Sequence, residues 1–253
     1  MVVIPVVDLA AEGRGQLLLD ACRQPGCFRV VNHGIPAALQ AEMKAAVRSL
    51  FELPDDVKLR NDHVIAGSGY VGPTIVNPLY EAFGLYDAAS PADVDAFCSC
   101  LDAPPHLRMN RYNFAPETVG SSGVQIHTDS GFLTVLQEDE SVGGLEVMDA
   151  NGTFAAVDPL PGSLLVNLGD VAKAWSNGML HNVKHRVLCK EAATRISIAL
   201  FLLAPKDGKV EAPAELVGSK IPRLYRSFYY EDYRKLRFSS GLRAGEALSL
   251  LAA

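Results

Sequence analysis

The second half of the chain consists of short apolar segments separated by turn sequences at close intervals. Between residues 124 and 203 these turns are the tripeptides DSG, VGG, ANG, LPG and SNG. Turns at this spacing between β-type segments are typical of all-β sandwiches and barrels. We therefore predict a mainly β protein with flanking helices, whose core is a double-stranded β-helix, the jelly-roll barrel with a mouth that can hold a metal.

The first hundred residues follow a different pattern. Apolar residues recur at helical spacing in segments 15–24 and 36–53, which predicts two amphipathic helices. The segment CFRVVNHG between them predicts a strand, whereas the glycines and prolines of segment 63–95 predict a loop. We predict an N-terminal helical and strand region at 1–100, a jelly-roll core at 101–210, and a C-terminal helical covering segment at 211–253.

Two histidines and one aspartate form a candidate metal site. His127 and Asp129 are two residues apart in QIHTDSGF, and His185 lies in the β-type run NVKHRV. Residues two apart on an extended strand project to the same face, so His127 and Asp129 can reach one metal. A histidine considered singly is more often a hydrogen-bonded core residue. Together, two imidazoles and one carboxylate match the ligand set of the non-haem Fe(II) oxygenases.

Arg195 and Ser197 supply a candidate anion site ten and twelve residues after His185. They begin the run RISIALFLL, which is too apolar to be a surface strand, and alternation places both on one face. A guanidinium on a buried strand requires an anionic partner, and its planar fork binds a carboxylate bidentately. The alternative is an ion pair with a protein carboxylate. Next to a candidate iron site, we expect the partner to be a small diacid.

Composition excludes several classes of function. The net charge of −6 argues against nucleic acid or an anionic membrane as partner. No apolar run reaches membrane-spanning length, and the N-terminus lacks the pattern of a secretory leader. Five irregularly spaced cysteines favour reduced thiols. We therefore expect a cytoplasmic protein.

The motifs, in order, resemble those of the large family of plant 2-oxoglutarate-dependent dioxygenases, which includes gibberellin oxidases, flavonoid oxidases and ACC oxidase. The resemblance spans nearly the whole chain. The matching segments are IPVVDL at 4–9, GCFRVVNHGI at 26–35, RMNRYNF at 108–114, NLGD at 167–170 and WSNG at 175–178, together with the histidine, aspartate and arginine motifs above. It implies Fe(II) held by His127, Asp129 and His185, and 2-oxoglutarate held by Arg195 and Ser197.

The resemblance also implies further roles. Asn110 and Tyr112 would assist at the metal-bound end of 2-oxoglutarate, and ascorbate would have a supporting role. Within the family, the segments MNRYNFAPETVG and NVKHRVLCKEA are most similar to the auxin-oxidising branch, which converts indole-3-acetic acid to 2-oxindole-3-acetic acid. We expect a small plant acid and O₂ as the other substrates. Phe201, on the face of Arg195, is the first candidate for the substrate pocket, followed by Tyr70 and Phe83.

One departure from the family pattern is the absence of a long helix. Family members carry it between the front region and the asparagine-tyrosine motif, but here CSCLDAPPHL runs directly into RMNRYNF. Its loss is expected to expose apolar surface on the outside of the barrel. Two alternatives stay open at this point: a hydroxylase of another specialised metabolite, of gibberellin or flavonoid type, and a non-catalytic relic.

Overall fold

The computed structural model describes residues 3–62, 68–101, 109–205 and 207–253. The helices in these ranges are α1 (Arg14–Arg23), α2 (Ala37–Phe51), α3 (Asp55–Lys58), α4 (Pro91–Leu101), α5 (Asp170–Trp175) and α6 (Tyr230–Ser240). The strands are β1 (Val6–Asp8), β2 (Cys27–Val31), β3 (Tyr80–Phe83), β4 (Met109–Asn113), β5 (Ser122–His127), β6 (Leu133–Gln137), β7 (Leu145–Met148), β8 (Phe154–Ala156), β9 (Leu164–Leu168), β10 (His185–Leu188), β11 (Thr194–Leu202), β12 (Lys209–Val210) and β13 (Phe228–Tyr229).

Two sheets form the core. The larger has the strand order β1-β2-β9-β6-β11-β4-β3, and the smaller has the order β5-β10-β7-β8. Apart from the parallel pair β1–β2, the neighbours within both sheets are antiparallel. Their inner faces share one apolar cluster, in which Leu165 of the larger sheet meets Val147 and Val187 of the smaller. The predicted jelly-roll core is confirmed, and strands from region 1–100 pair directly with strands from region 101–210.

Helices cover the outer face of the larger sheet. The two predicted N-terminal helices are present as α1 and α2, within two residues of their predicted ends. Val47, Leu50 and Phe51 of α2 pack with Phe97 of α4 onto Ile196 of β11 and its neighbours. The prediction of a loop over 63–95 is wrong in two places, because β3 and the start of α4 lie there; residues 63–67 are outside the described ranges. The glycines and prolines concealed a strand of four residues that pairs with β4.

The position of the expected missing helix falls at the join between α4 and β4. Residues 102–108 of this join lie outside the described ranges. Along β11, Ile196 and Ile198 are buried under the helices, but Leu200 and Leu202 on the same strand face are 48% and 55% exposed. Exposed leucines at the end of a core strand are the kind of surface that a shortened connection predicts.

The C-terminal segment closes one end of the barrel. Tyr233 of α6 packs with Phe228, Val171 and Leu248 in a separate apolar cluster. The acidic residues Glu231 and Asp232 lie in the first turn of α6, where they favour the helix dipole, and Gly241 ends the helix with a positive φ of 70°. The described part of the chain contains no helix that is long and apolar enough to cross a membrane.

Candidate metal centre and pocket

The structure brings the three predicted ligands together. His127 is the last residue of β5 and His185 is the first of β10, and the two are register partners across these strands. The Nε2 atoms of His127 and His185 lie 3.9 and 3.8 Å from Asp129 Oδ1. One donor atom from each residue lies within 4.8 Å of the other two, so a single ion can contact all three.

The sequence pattern predicted that Asp129 lies on the same strand as His127, and this prediction is wrong. β5 ends at His127, and Asp129 lies in the loop that follows. The backbone N–H of Thr128 donates to Arg243 O at 2.9 Å, and Asp129 O accepts from Asp170 N–H at 2.9 Å. The backbone between the two ligands is therefore held by other parts of the chain and not by a sheet ladder.

Both imidazoles are oriented by backbone carbonyls. His127 Nδ1 lies 2.8 Å from Gln125 O, and His185 Nδ1 lies 3.2 Å from Val183 O. A carbonyl oxygen only accepts, so each Nδ1 carries the proton and each Nε2 keeps its lone pair for a metal. Burial, together with the neighbouring His185 ring, lowers the pKa of His127 to about 4. The His127 ring is thus neutral at physiological pH, as metal ligation requires.

The carboxylate of Asp129 is fixed in the same way. Thr134 Oγ1 donates to Asp129 Oδ2 at 2.6 Å, which leaves Oδ1 facing the two imidazoles. Burial raises the pKa of Asp129, but the two adjacent imidazoles and the Thr134 hydroxyl outweigh it, so the net shift is downward. Two neutral nitrogens and one carboxylate oxygen on one side of an ion leave its other positions open, which suits Fe(II) in an oxygenase.

Arg195 is buried at the other end of the same pocket. Its side chain is 2% exposed, and its Nη1 donates to Ser197 Oγ at 3.4 Å. Its Nε has no hydrogen-bond partner, and in the described part of the chain no carboxylate forms an ion pair with it. The nearby carboxylate of Glu138 is instead paired with Arg29 at 2.6 Å. Arg195 therefore has the geometry of a cation awaiting an anionic ligand.

Neighbouring strands complete this end of the pocket. Tyr112 and Asn110 of β4 are the register partners of Arg195 and Ser197. The guanidinium carbon of Arg195 lies 5.1 Å from the centre of the Tyr112 ring, and Asn110 Oδ1 accepts from Tyr80 Oη–H at 2.8 Å. The four residues expected to bind 2-oxoglutarate thus line one wall of a single cavity with the three metal ligands.

The cavity has a volume of about 510 Å³, within the range of roughly 300–1,000 Å³ for small-molecule sites. Phe201 lines it, as strand alternation from Arg195 and Ser197 predicted. Beyond the metal ligands, its wall continues with Tyr86, Ser130, Tyr230, Arg234 and Arg237.

Tyr70 and Phe83, the other two candidates for substrate binding, do not line this cavity. Phe83 is fully buried in the apolar cluster beneath α2 and α4. Tyr70 donates its hydroxyl to Glu81 at 2.8 Å. Burial raises the pKa of Glu81, but hydrogen bonds from Arg111, Tyr70 and Lys58 outweigh it and lower that pKa to about 2. Phe83 therefore packs against the helices, and Tyr70 hydrogen-bonds a buried carboxylate. Both side chains stabilise the fold, and neither lines the cavity.

Sequence reasoning missed the three pocket residues of α6. Tyr230, Arg234 and Arg237 follow one another at spacings of four and three residues, which places them on one helical face. The segment around them is basic and aromatic, and it was expected only to cover the barrel. The spacing was a usable signal, because a helix that covers a barrel mouth must turn one face inward.

Asp170, in the NLGD motif, is the first residue of α5. Gly169 is the N-cap of α5, and the Asp170 carboxylate is fully buried. It accepts hydrogen bonds from Asn182 Nδ2 at 2.7 Å and Tyr233 Oη at 2.6 Å, and it forms an ion pair with Arg237. Asp170 therefore joins α5 to the C-terminal helix.

Two family models match this chain. The model of the 2OG-Fe(II) oxygenase superfamily matches residues 103–204, which contain all three metal-ligand candidates. The model of the non-haem dioxygenase N-terminal region, described for morphine synthesis, matches residues 4–93.

Similar proteins were found among curated sequences and solved structures. The 2-oxoglutarate-dependent dioxygenase DAO of rice (Oryza sativa) is 58% identical, with both chains covered completely. The crystal structure of the rice dioxygenase for auxin oxidation superposes with a TM-score of 0.89, covering 99% of this chain and 100% of that one. The Arabidopsis thaliana dioxygenase for auxin oxidation 1, as a 2-oxoglutarate complex, is 47% identical with a TM-score of 0.84, covering 87% and 100%.

The alignment with the rice sequence also bears on the missing helix. It runs over 300 positions, whereas this chain has 253 residues, so 47 positions of the alignment have no residue here. A difference of this size is large enough to include a long helix with its flanking segments.

The metal-donor set, the buried arginine, and the similarity to family models, curated sequences and solved structures point to the same chemistry. Enzymes of this class use Fe(II) as the metal and 2-oxoglutarate as co-substrate. With full-length identity of 58% to a curated member, the chain belongs to the 2-oxoglutarate-dependent dioxygenases of the 2OG-Fe(II) oxygenase superfamily.

Proposed function

We propose that this enzyme oxidises indole-3-acetic acid to 2-oxindole-3-acetic acid, with 2-oxoglutarate and O₂ as the other substrates. The observation that carries the proposal is Arg195, a buried cation that pairs with no carboxylate of the described residues, in one cavity with His127, Asp129 and His185. The identity of the second substrate rests on the rice and Arabidopsis relatives, whose names state auxin oxidation, and on the chemistry of the outer part of the cavity.

The inner part of the cavity suits a dicarboxylate. A 2-oxo acid binds a metal through its ketone and adjacent carboxylate oxygens, and this places its distal carboxylate away from the ion. Arg195 offers a planar fork and Ser197 a hydroxyl for that distal group. Tyr112 packs against the guanidinium, and Asn110 lies toward the metal-bound end. A buried cation that pairs with its ligand selects a co-substrate that carries this second carboxylate.

The outer part suits a small aromatic acid. Phe201 and Tyr230 supply ring surfaces for an indole. Arg234 at the same end of the cavity offers a cation to a carboxylate, whereas Arg237 is paired with Asp170. Burial raises the pKa of Tyr230 by more than the hydrogen bond with Ser130 and the charges of Arg234 and Arg237 lower it, so its hydroxyl stays protonated and can donate. A neutral flavonoid would gain nothing from Arg234, and a gibberellin, although it carries a carboxylate, has no aromatic ring to pack against Phe201 and Tyr230. We therefore favour an aromatic acid over the hydroxylases of other metabolites.

Each residue has a defined part in the reaction. Bound Fe(II) supplies the activation of O₂. One oxygen atom of O₂ is taken up in the decarboxylation of 2-oxoglutarate to succinate and CO₂, and the other goes to the indole. His127, Asp129 and His185 hold the metal on one side. Arg195 orients the co-substrate, and the apolar ring of Phe201 helps to exclude water from the reacting carbon.

The test is turnover of a purified, Fe(II)-loaded sample, read by mass spectrometry. Indole-3-acetic acid should yield 2-oxindole-3-acetic acid with one succinate per product, and Asp129→Ala should yield neither. Comparable turnover of a gibberellin or a flavonoid, without turnover of the auxin, would contradict the substrate assignment. Binding of 2-oxoglutarate without release of succinate in the presence of any tested acid would indicate the non-catalytic relic.

Two finer points belong to the same proposal. We place the enzyme in the cytoplasm, because its five cysteines are free thiols and a reducing compartment keeps them so. We also infer that nucleic acid is not a partner, because the net charge of −6 opposes binding to a polyanion.

A further inference from the structure

We propose that Arg237 of α6 is a positioning residue for the metal centre: it ties the C-terminal helix to Thr128, the residue between the two ligands His127 and Asp129. This inference rests on the metal site proposed above. It gives Arg237 a function that contact with the substrate does not account for.

Thr128 is held by the C-terminal segment through each of its polar groups. Arg237 Nη1 donates to Thr128 Oγ1 at 3.0 Å, and Nη2 donates to Thr128 O at 2.8 Å. The Thr128 N–H donates to Arg243 O, and Arg237 Nη2 also donates to this carbonyl, at 2.8 Å. Thr128 is 1% exposed, so these contacts are shielded from water.

Arg237 is itself held in place on its other side. It forms an ion pair with Asp170, which also accepts from Tyr233 and Asn182. Asp170 in turn donates its backbone N–H to Asp129 O at 2.9 Å. The guanidinium of Arg237 thus connects the buried carboxylate of Asp170 to Thr128, and the backbone N–H of the same Asp170 fixes the backbone of Asp129.

The next residue along the loop is held by α6 as well. Ser130 Oγ and Tyr230 Oη lie 2.9 Å apart, so the loop is fixed from Thr128 to Ser130. Since β5 ends at His127, no strand ladder performs this task. A ligand set binds metal tightly only when its donor atoms are held in position before binding, and outer partners of this kind commonly change metal affinity 10- to 100-fold.

A merely structural role for Arg237 predicts a different outcome from a positioning role. Tyr233 provides the matched control, because it donates to the same Asp170 oxygen from the same helix, and among the described residues it forms no hydrogen bond with Thr128. Tyr233→Phe weakens the attachment of α6 alone. Arg237→Lys keeps the charge beside Asp170 but loses the planar fork that reaches both Thr128 oxygens. Lys235→Met, at an exposed position of α6, controls for changes in helix charge.

The experiment titrates Co(II) into the metal-free full-length protein and follows the visible absorption of the bound ion, with melting temperatures measured in parallel. Lys235→Met should match the wild type. Tyr233→Phe should lower the melting temperature of the metal-free protein but leave the Co(II) dissociation constant within about twofold. Arg237→Lys should raise that constant about 10- to 100-fold and change the absorption pattern of the ion.

Three results would overturn the inference. An Arg237→Lys dissociation constant within twofold of wild type would show a structural role only, as would equal increases for Arg237→Lys and Tyr233→Phe. If Arg237→Lys does not fold, Thr128→Val removes the hydroxyl contact at nearly constant shape and should raise the constant at least threefold; no change would be the third such result. Failure of the wild type to bind Co(II) would instead contradict the metal centre itself.

Discussion

Replacing Arg195 by methionine should stabilise the protein in the absence of 2-oxoglutarate and destabilise it in its presence. The reason is that Arg195 is a buried cation, 2% exposed, whose Nε has no hydrogen-bond partner in the described part of the chain. Burying a charge without a counter-ion costs several kcal/mol, and its removal relieves that cost. Binding of the dicarboxylate supplies the counter-ion, so only the liganded wild type benefits from the arginine.

The size of the effect follows from the surroundings of Arg195. Its packing against Tyr112, at 5.1 Å, offsets about 0.5–1 kcal/mol of the burial cost. A further part is offset by the more distant charge of Glu138. We therefore expect the ligand-free variant to gain about 1–2 kcal/mol, or roughly 2–8 °C in Tm for a chain of this size. Saturating the wild type at 100 times its Kd for 2-oxoglutarate should add about 2.7 kcal/mol, which the variant lacks.

The assay is thermal unfolding of both proteins with a non-oxidising metal, with and without 2-oxoglutarate. The matched control is Arg29→Met, because Arg29 is 3% exposed but paired with Glu138. Its loss leaves a buried carboxylate alone and should cost about 3–5 kcal/mol under both conditions. If Arg195→Met lowers the melting temperature without ligand as Arg29→Met does, Arg195 has a protein counter-ion and the assignment to 2-oxoglutarate is wrong.

Three further predictions concern the metal, the pocket and the front of the barrel. Asp129→Ala should remove metal binding and reduce succinate release below detection; succinate release at the wild-type rate would refute the ligand assignment. Phe201→Ala should raise KM for indole-3-acetic acid about 10-fold or more without changing Kd for 2-oxoglutarate. Phe83→Ala should instead lower the free energy of unfolding by about 3–5 kcal/mol and leave both constants unchanged. A raised KM for Phe83→Ala together with an unchanged KM for Phe201→Ala would show that Phe83 binds the substrate. Glu81→Gln should lower Tm near pH 7, and the difference in Tm from the wild type should shrink as pH falls from about 4.5 towards 2. The reason is that the pKa of Glu81 is lowered to about 2, so this carboxylate stabilises the fold only while it is ionised. A difference in Tm that does not depend on pH would contradict this.

Much of the site was predictable from the sequence, because the relevant information is local. The turn tripeptides between short apolar runs indicated the jelly-roll core. Strand alternation placed Arg195, Ser197 and Phe201 on one face, and all three line the cavity. The residue types His, Asp and His limited the metal chemistry before any geometry was known. Each of these inferences depends on chain neighbours, for which strand periodicity is a sufficient guide.

Tertiary structure decided the rest, because it depends on which distant segments meet. Periodicity did not separate Phe83 from Phe201: one strand turns its ring toward the helices and the other toward the cavity. That Arg195 has no carboxylate partner among the residues described by the structure became visible only when Glu138 was found paired with Arg29. Thr128 and Arg237 are 109 residues apart in the chain, and no local pattern links them. Sheet register and helix docking bring them together, and so determine how firmly the metal ligands are held.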